Sequence, residues 1–479
     1  MTNIGRWQVI SIISRLMALM LGVVQSIVIT RILTVAEFGI IGIVGAVGAM
    51  FGIAQHFGLA SGTTREISSA PKEETFKIFL SSLILKYIIV LPVALALFLF
   101  APYITRNIYK LDEIAFPLRL YSAVLLVQGA QGILNSVIAG LQRFRRLFLY
   151  QVAIAGVSLF LYIPLVYFYK VDGYFMALLL FNAVSTITLS ILALAPLRGY
   201  LKLPTKSELG HSFKNILLLS LGIYAAKILY TAWFKFGQIT LGYFEALEVV
   251  GVFSFAVLFS SKLQTISDAL TDVNLPIFSK EFSTNLEGFK QKFIGNFKKI
   301  FAVILVLTMS ASFFAKDVII LAVGHKYDAS IPLILPLVFS FAFYSYLNLL
   351  KSSVLVPAKM IFELIGSYAV LFVVTSASYF LLVLNYGSLM AMSYAMLFGS
   401  ALGFASAFLL IHNKLKFDIL NSRSVGLTIK LLLLIPFNFL AISLPLKLAI
   451  FACYTLVIVS TFKSENIFNV GEVLKRLKK

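Results

Sequence analysis

Residues 78–101 read IFLSSLILKYIIVLPVALALFLFA, a run with a single charge at Lys86. Coiled as a helix that rises about 1.5 Å per residue, such a run crosses the roughly 30 Å of hydrocarbon in a bilayer. The reading repeats in both directions along the chain. Fourteen stretches of this kind are expected, at about 7–30, 38–58, 78–101, 114–139, 148–169, 174–195, 215–236, 249–276, 299–322, 331–356, 362–384, 387–411, 425–443 and 446–462. Turn signals separate several of them: Ala101-Pro102, Val171-Asp172-Gly173 and Asn385-Tyr386-Gly387. The last pair carries Pro436 and Pro445, which leaves a re-entrant hairpin open as an alternative.

The rest of the composition agrees. Of 479 residues, 60% are apolar and 13% charged, more apolar surface than one water-soluble core could bury. The formal charge of +20 would suggest nucleic acid on a soluble chain. Here the Lys and Arg lie in short segments between apolar runs, so they read as topology signals and contacts for anionic lipid. With the N-terminus inside, the cytoplasmic segments hold about 26 Lys/Arg and the outer ones about 7. That asymmetry predicts a cell-membrane protein with both termini in the cytoplasm. The basic end, Lys475-Arg476-Leu477-Lys478-Lys479, fits an even number of spans. From Glu465 onward the chain reads either as an amphipathic helix on the inner leaflet or as a solvated end.

Cys453 is the single cysteine, which excludes a disulfide framework within the chain. The four histidines lack metal-ligand spacing. Arg15 interrupts the first apolar run, against a cleavable signal peptide. No loop exceeds about 25 residues, so no soluble domain is expected, which counts against an enzyme working in water.

A repeat divides the chain. Ala36-Glu37-Phe38-Gly39-Ile40-Ile41 matches Glu248-Val249-Val250-Gly251-Val252-Phe253 at an offset of 212. Leu134-Asn135-Ser136 and Arg143 match Leu350-Lys351-Ser352 and Lys359 at 216. The expected fold is therefore an all-α membrane protein of about fourteen transmembrane helices. Residues 1–200 and 201–412 form two pseudosymmetric six-helix lobes, and 413–479 add a helix pair and a basic tail. Even-numbered repeats are parallel and enclose a central cavity.

Charges inside spans are costly and usually face protein or water. Arg15 and Lys227 each lie near mid-bilayer, 24 residues before the repeat glycine Gly39 or Gly251. Two facing cations repel unless an anion sits between them, so the pair reads as an anion clamp. The alternative is a structural pairing of each with a local acid or carbonyl. Lys262 lies within span 8, about a turn and a half before Asp268, and Arg31 lies nearer the outer face. Asp268 and Asp272 share one face of span 8 at i and i+4, and His56 falls opposite Asp268 under the repeat. These titratable groups are candidates for ion coupling, with a structural Lys–Asp pair as the alternative. Most aromatics near the interfaces read as a belt, though Trp233 or Tyr230 could stack on a sugar.

Several segments resemble a known family. Arg31-Ile-Leu-Thr-Val-Ala-Glu37-Phe38-Gly39, preceded by Arg15, resembles the opening of the polysaccharide (O-antigen type) flippases. Phe57-Gly58-Leu59 with Arg65-Glu66-Ile67 resembles the end of their second helix, Gly140-Leu141-Gln142-Arg143-Phe144 their fourth inner corner, Leu241-Gly242-Tyr243-Phe244 with Val250-Gly251-Val252 the start of their second half, and Val323-Gly324-His325-Lys326-Tyr327 the turn before their tenth helix. These proteins belong to the multidrug/oligosaccharidyl-lipid/polysaccharide exporter superfamily, with MATE-type exporters and lipid II flippases. The resemblance implies two six-helix lobes in a V, alternating access, and a cationic cavity for a lipid-linked diphospho-sugar. It covers the midplane cations at Arg15 and Arg31; Lys227 follows from the repeat alone. Two departures stand out. Thr34-Val35-Ala36 occupies the turn where glycine-proline-glutamate is common, and Gly237-Gln238 replaces an acidic–basic pair.

The expected function is a flippase, not an enzyme, that moves a polyprenyl-diphosphate-linked oligosaccharide from the inner to the outer leaflet. Arg15, Lys227, Lys262 and Arg31 would bind substrate; Asp268, Asp272 and His56 would couple a cation. No cofactor is expected beyond a coupling Na+ or H+, and no nucleotide-binding loop is present. Expected partners are the lipid-linked oligosaccharide, membrane lipids, and a glycan polymerase or glycosyltransferases. Two alternatives stay open: a MATE-like exporter of amphipathic molecules, and a scaffold that binds lipid-linked glycans without moving them.

Overall fold

The structure is a computed structural model. It describes residues 2–53, 59–69, 71–141, 143–200, 203–204, 206–265, 267–268, 274, 278, 281–282, 285–416, 428–440 and 442–464, with backbone alone for 2–16, 61–62, 65, 68–69, 144–145, 148, 206–223 and 464. All regular structure among these residues is helical. The main helices are α1 (Thr2–Ile32), α2 (Val35–Gly52), α3 (Leu59–Ser69), α4 (Thr75–Tyr103), α5 (Ala115–Gly140), α6 (Phe144–Leu194), α7 (Lys206–Phe244) and α8 (Leu247–Ser260). They continue with α9 (Leu286–Phe313), α10 (Ala315–Val323), α11 (Ile331–Leu350), α12 (Ile361–Leu415) and α13 (Leu444–Ser464).

Among the described residues, eight helical segments are long and apolar enough to cross a membrane. Two are double-length and bend back on themselves. α6 breaks at Lys170, and Tyr162 meets both Tyr174 and Phe181 across the break, with ring centroids 5.2 and 6.3 Å apart. α12 breaks at Gly387, whose φ of 71° and ψ of 160° suit glycine. Beyond it, Gly399 and Gly403 pack on Thr375 and Leu371. Each of these elements thus contains two of the expected spans.

Two expected spans look different. Span 8 is not one continuous α-helix: α8 gives way at Ser261–Leu263 to a 3-10 turn, which shifts the phase of the residues that follow. Span 13 is a short helix, Thr428–Phe439, that tightens to a 3-10 turn at Ile435–Phe439. Pro436 accounts for this, since it can neither donate to nor fit within a continuing α-helix.

Packing forms two compact units, Met1–Phe255 and Ala256–Lys479. In the first, α7 packs against α2, α3 and α4, which carries this unit past residue 200. Its core joins α3 to α6 through Leu59, Phe79, Ile133, Val137 and Leu189. In the second, Met309 and Phe313 of α9 pack with Leu431, Leu434, Tyr454 and Ile458. The Tyr454 hydroxyl donates to the Leu431 carbonyl at 2.8 Å. Side chains pointing away from these cores are themselves apolar: Phe160 is 81% exposed and Leu384 91%. Hydrocarbon outside as well as inside marks helices solvated by lipid. Hydroxyls within the helices turn back to their own backbone, as Thr30 does to Ser26 and Thr308 to Ile304. Donors are thereby satisfied where no water reaches.

α2 starts on a capping box: the Thr34 hydroxyl accepts from the Glu37 N–H, and the Glu37 carboxylate accepts from the Thr34 N–H at 2.7 Å. The departure at Thr34-Val35-Ala36 thus keeps a helix-starting turn by other means. α2 then meets α8 at a close contact. A Cβ on Gly39 would strike the Leu247 carbonyl, one on Gly251 would strike the Val35 carbonyl, and one on Gly42 would strike the Ser254 hydroxyl. Each partner lies 212 positions from its mate (Val35 and Leu247, Gly39 and Gly251, Gly42 and Ser254), the offset of the sequence repeat.

Candidate functional site

Of the predicted anion clamp, the Arg15 side chain lies outside the described residues, although its backbone is helical in α1. Lys227 is half-buried on α7. Its Nζ sits 4.9 Å from the Tyr230 ring centroid, and Thr231 bonds the Lys227 carbonyl. A cation held over an aromatic face in an apolar setting is attracted by the ring quadrupole. About two turns on from Lys227, the Lys235 Nζ lies 4.8 Å from the Phe234 ring centroid. Trp233 is fully buried and packs 6.1 Å from Tyr230, so its face is not open for a sugar. The α7 segment therefore presents cations backed by rings, not rings offered to ligand.

Arg31 is exposed in the last turn of α1, where a cation offsets the negative helix end. Lys262 is half-buried in the 3-10 turn after α8.

Among the coupling candidates, His56 and Asp272 lie outside the described residues. Asp268 is described and exposed. Its carboxylate accepts from Asn348 Nδ2 at 2.9 Å and from Gln264 Nε2 at 3.4 Å. The same Asn348 amide reaches the Ser267 hydroxyl at 3.3 Å, and farther along Asn274 donates to Ser353 at 3.2 Å. Asn348 is 2% exposed and Asn274 6%. These contacts form a polar seam between the 264–274 segment and the end of α11, beside the π-helical turn Lys351–Leu355. Such turns recur where a helix bends around a functional group.

Sequence reasoning missed Gln264 and Asn348. A lone asparagine inside span 10 was a usable signal, since a buried amide in a membrane needs a partner. It also missed the pairing of Lys447 with Asp317 at 2.5 Å, where Lys447 additionally donates to the Phe313 carbonyl at 3.4 Å. This pair fastens the start of α13 to α10. Beside it lies a cavity of about 520 Å³ lined by Phe339, Tyr394, Phe437, Asn438 and Lys447 among others. Among the described residues no group of three or more His, Cys, Asp or Glu side chains could hold a metal.

The fold is that of membrane transporters. An inward-facing multidrug-resistance MATE transporter of the MOP superfamily matches with a TM-score of 0.70 at 15% identity, over 85% of this chain and 98% of that one. The lipid II flippase MurJ in an inward closed conformation matches with 0.71 at 12%, over 96% and 99%. A eukaryotic MATE transporter matches with 0.60 at 14%, over 88% and 96%. No curated protein matches in sequence. The family model for polysaccharide biosynthesis proteins matches residues 6–282, more than half the chain. The chain is a multi-pass membrane protein and belongs to the polysaccharide biosynthesis protein family.

Proposed function

We propose that this protein is a flippase that moves a polyprenyl-diphosphate-linked oligosaccharide from the inner to the outer leaflet. The reading uses fourteen spans, with lobes at 1–200 and 201–412, a final pair in 413–479, and both termini in the cytoplasm of a cell-membrane protein. Arg15 and Lys227 hold the diphosphate, Lys262 serves entry and Arg31 release. Asp268, with Asp272 and His56, takes Na+ or H+. The polyprenyl tail stays in lipid. A glycan polymerase or glycosyltransferases would act on the same lipid-linked glycan before and after the step.

One observation carries the proposal: Lys227, ten or so residues inside an apolar helix, holds its Nζ 4.9 Å from the Tyr230 ring centroid. A phosphate arriving there gains a charge-assisted contact in a medium of low dielectric, where such contacts are strongest. Arginine at position 15 adds a planar fork for phosphate oxygens. The family description and the likeness to a lipid II flippase support a lipid-linked glycan as cargo. The α2–α8 contact supports alternating access. Two helices joined through three glycines and a serine can part without unpacking long side chains.

The test is transport in reconstituted vesicles. A fluorescent polyprenyl-diphosphate sugar should move between leaflets, and Lys227→Ala should slow it about tenfold to a hundredfold, the worth of one charged hydrogen bond. Lys227→Arg should restore most of the rate. Unchanged movement in Lys227→Ala removes the clamp. Movement of cationic dyes in place of the sugar lipid favours the MATE-like exporter, whose fold this chain shares.

A further inference from the structure

Among the described residues, every non-glycine with a left-handed backbone is a lysine: Lys110, Lys170, Lys359 and Lys416, with φ of 56°, 51°, 57° and 53°. Such positions usually hold glycine or asparagine, because a Cβ there crowds the following carbonyl. Lys170 is the most demanding. Its ψ of −123° belongs to the first central position of a type II′ turn, which favours glycine.

All four stand at helix ends. Lys110 closes the π-helical turn Ile104–Tyr109 and donates its N–H to Thr105. Lys170 ends the first arm of the α6 hairpin. Lys359 follows the π-helical turn of Lys351–Leu355 and bonds Val356. Lys416 closes α12 and bonds His412. All four side chains are exposed, and none pairs with an acid among the described residues. Exposed apolar and aromatic residues adjoin them: Tyr103 and Ile108 before Lys110, Tyr167, Phe168 and Tyr169 before Lys170, and Phe362 after Lys359. Aromatic rings of this kind gather at headgroup depth. In the proposed topology Lys110 and Lys170 lie at the outer face, and Lys359 and Lys416 at the inner.

Strain of this kind persists only where something offsets it. Among the described residues no hydrogen bond or ion pair of these exposed side chains does. The negative end of each helix favours a nearby cation, but a lysine one turn earlier would serve that purpose with no left-handed residue. We infer that the four lysines are headgroup anchors. Each projects a cation from a helix end toward the phosphates of anionic lipid, and together they fix the protein's depth at both faces. A compact ammonium on a flexible stem suits a phosphate that moves in the plane of the membrane. The inference is independent of what the protein transports.

The test uses the full chain with all four lysines changed to asparagine, which accepts the left-handed conformation but carries no charge. Thermal midpoints are read in vesicles of phosphatidylcholine and in vesicles with an equal share of phosphatidylglycerol. In neutral lipid the variant should melt a few degrees higher, about 3 °C, because strain is relieved. In anionic lipid it should melt at or below the parent, and high salt should abolish that reversal. The same shift in both lipids overturns the inference. Should the quadruple variant fail to insert, Lys170→Asn alone should show the same reversal, smaller in size. Its absence there would be equally decisive.

Discussion

The contact between α3 and α5 and the contact between the 264–274 segment and α11 are counterparts in the repeat, yet their chemistry differs. In the first, neutral groups meet. Ser136 donates to the Ala60 carbonyl at 2.7 Å, and Thr63 on the other side of α3 donates to Ser82 at 2.8 Å. In the second, the Asn348 amide holds the Asp268 carboxylate, and Asn274 holds Ser353. A hydroxyl bonded to a carbonyl closes a helix pair without adding a titratable group of its own; His56, the repeat counterpart of Asp268, lies outside the described residues. A carboxylate held by an amide stays available to a cation while its position is fixed. In the proposed mechanism the Asp268 seam serves energy coupling, while the described bonds of its counterpart serve packing.

The largest expected effect tests that division directly. Asp268→Asn should abolish accumulation driven by an ion gradient in vesicles while exchange without a gradient continues. Full accumulation in that variant would erase the contrast. Next in size, Asn348→Leu removes the shorter of the two amide contacts to the carboxylate, leaving that of Gln264 at 3.4 Å. It should lower stability by about 1.5–3 kcal/mol and weaken coupling, read from unfolding in detergent and from accumulation in the same vesicles. The smallest effect belongs to the neutral seam. Ser136→Ala should cost about 0.5–1.5 kcal/mol and leave coupling as it was. A coupling defect in Ser136→Ala would mean that the two seams act alike.

Much of the helical plan was readable from apolar run length. The turns at Val171-Asp172-Gly173 and Asn385-Tyr386-Gly387 foretold the hairpins of α6 and α12 within a few residues. Pro436 foretold trouble in the thirteenth span. The break at Ser261–Leu263 had no such signal, since no glycine or proline occurs there. The capping box at Thr34 was legible as a threonine three residues before a glutamate. The site was harder. Cations in spans stand out in a sequence, but their partners do not. Asn348 meets Asp268 from 80 residues away, and Lys447 meets Asp317 from 130. Distances of that kind are fixed by how helices pack, which local spacing does not encode.

The contact at Gly39 and Gly251 has a consequence for how such a chain can change over generations. Each glycine leaves room for a backbone carbonyl four residues ahead of the other, so the two sites share one clearance. A larger residue at either position pushes both helices apart at once, and no enlargement of the second residue can compensate. After a gene duplication most paired sites are free to drift separately; these two are bound to stay small together.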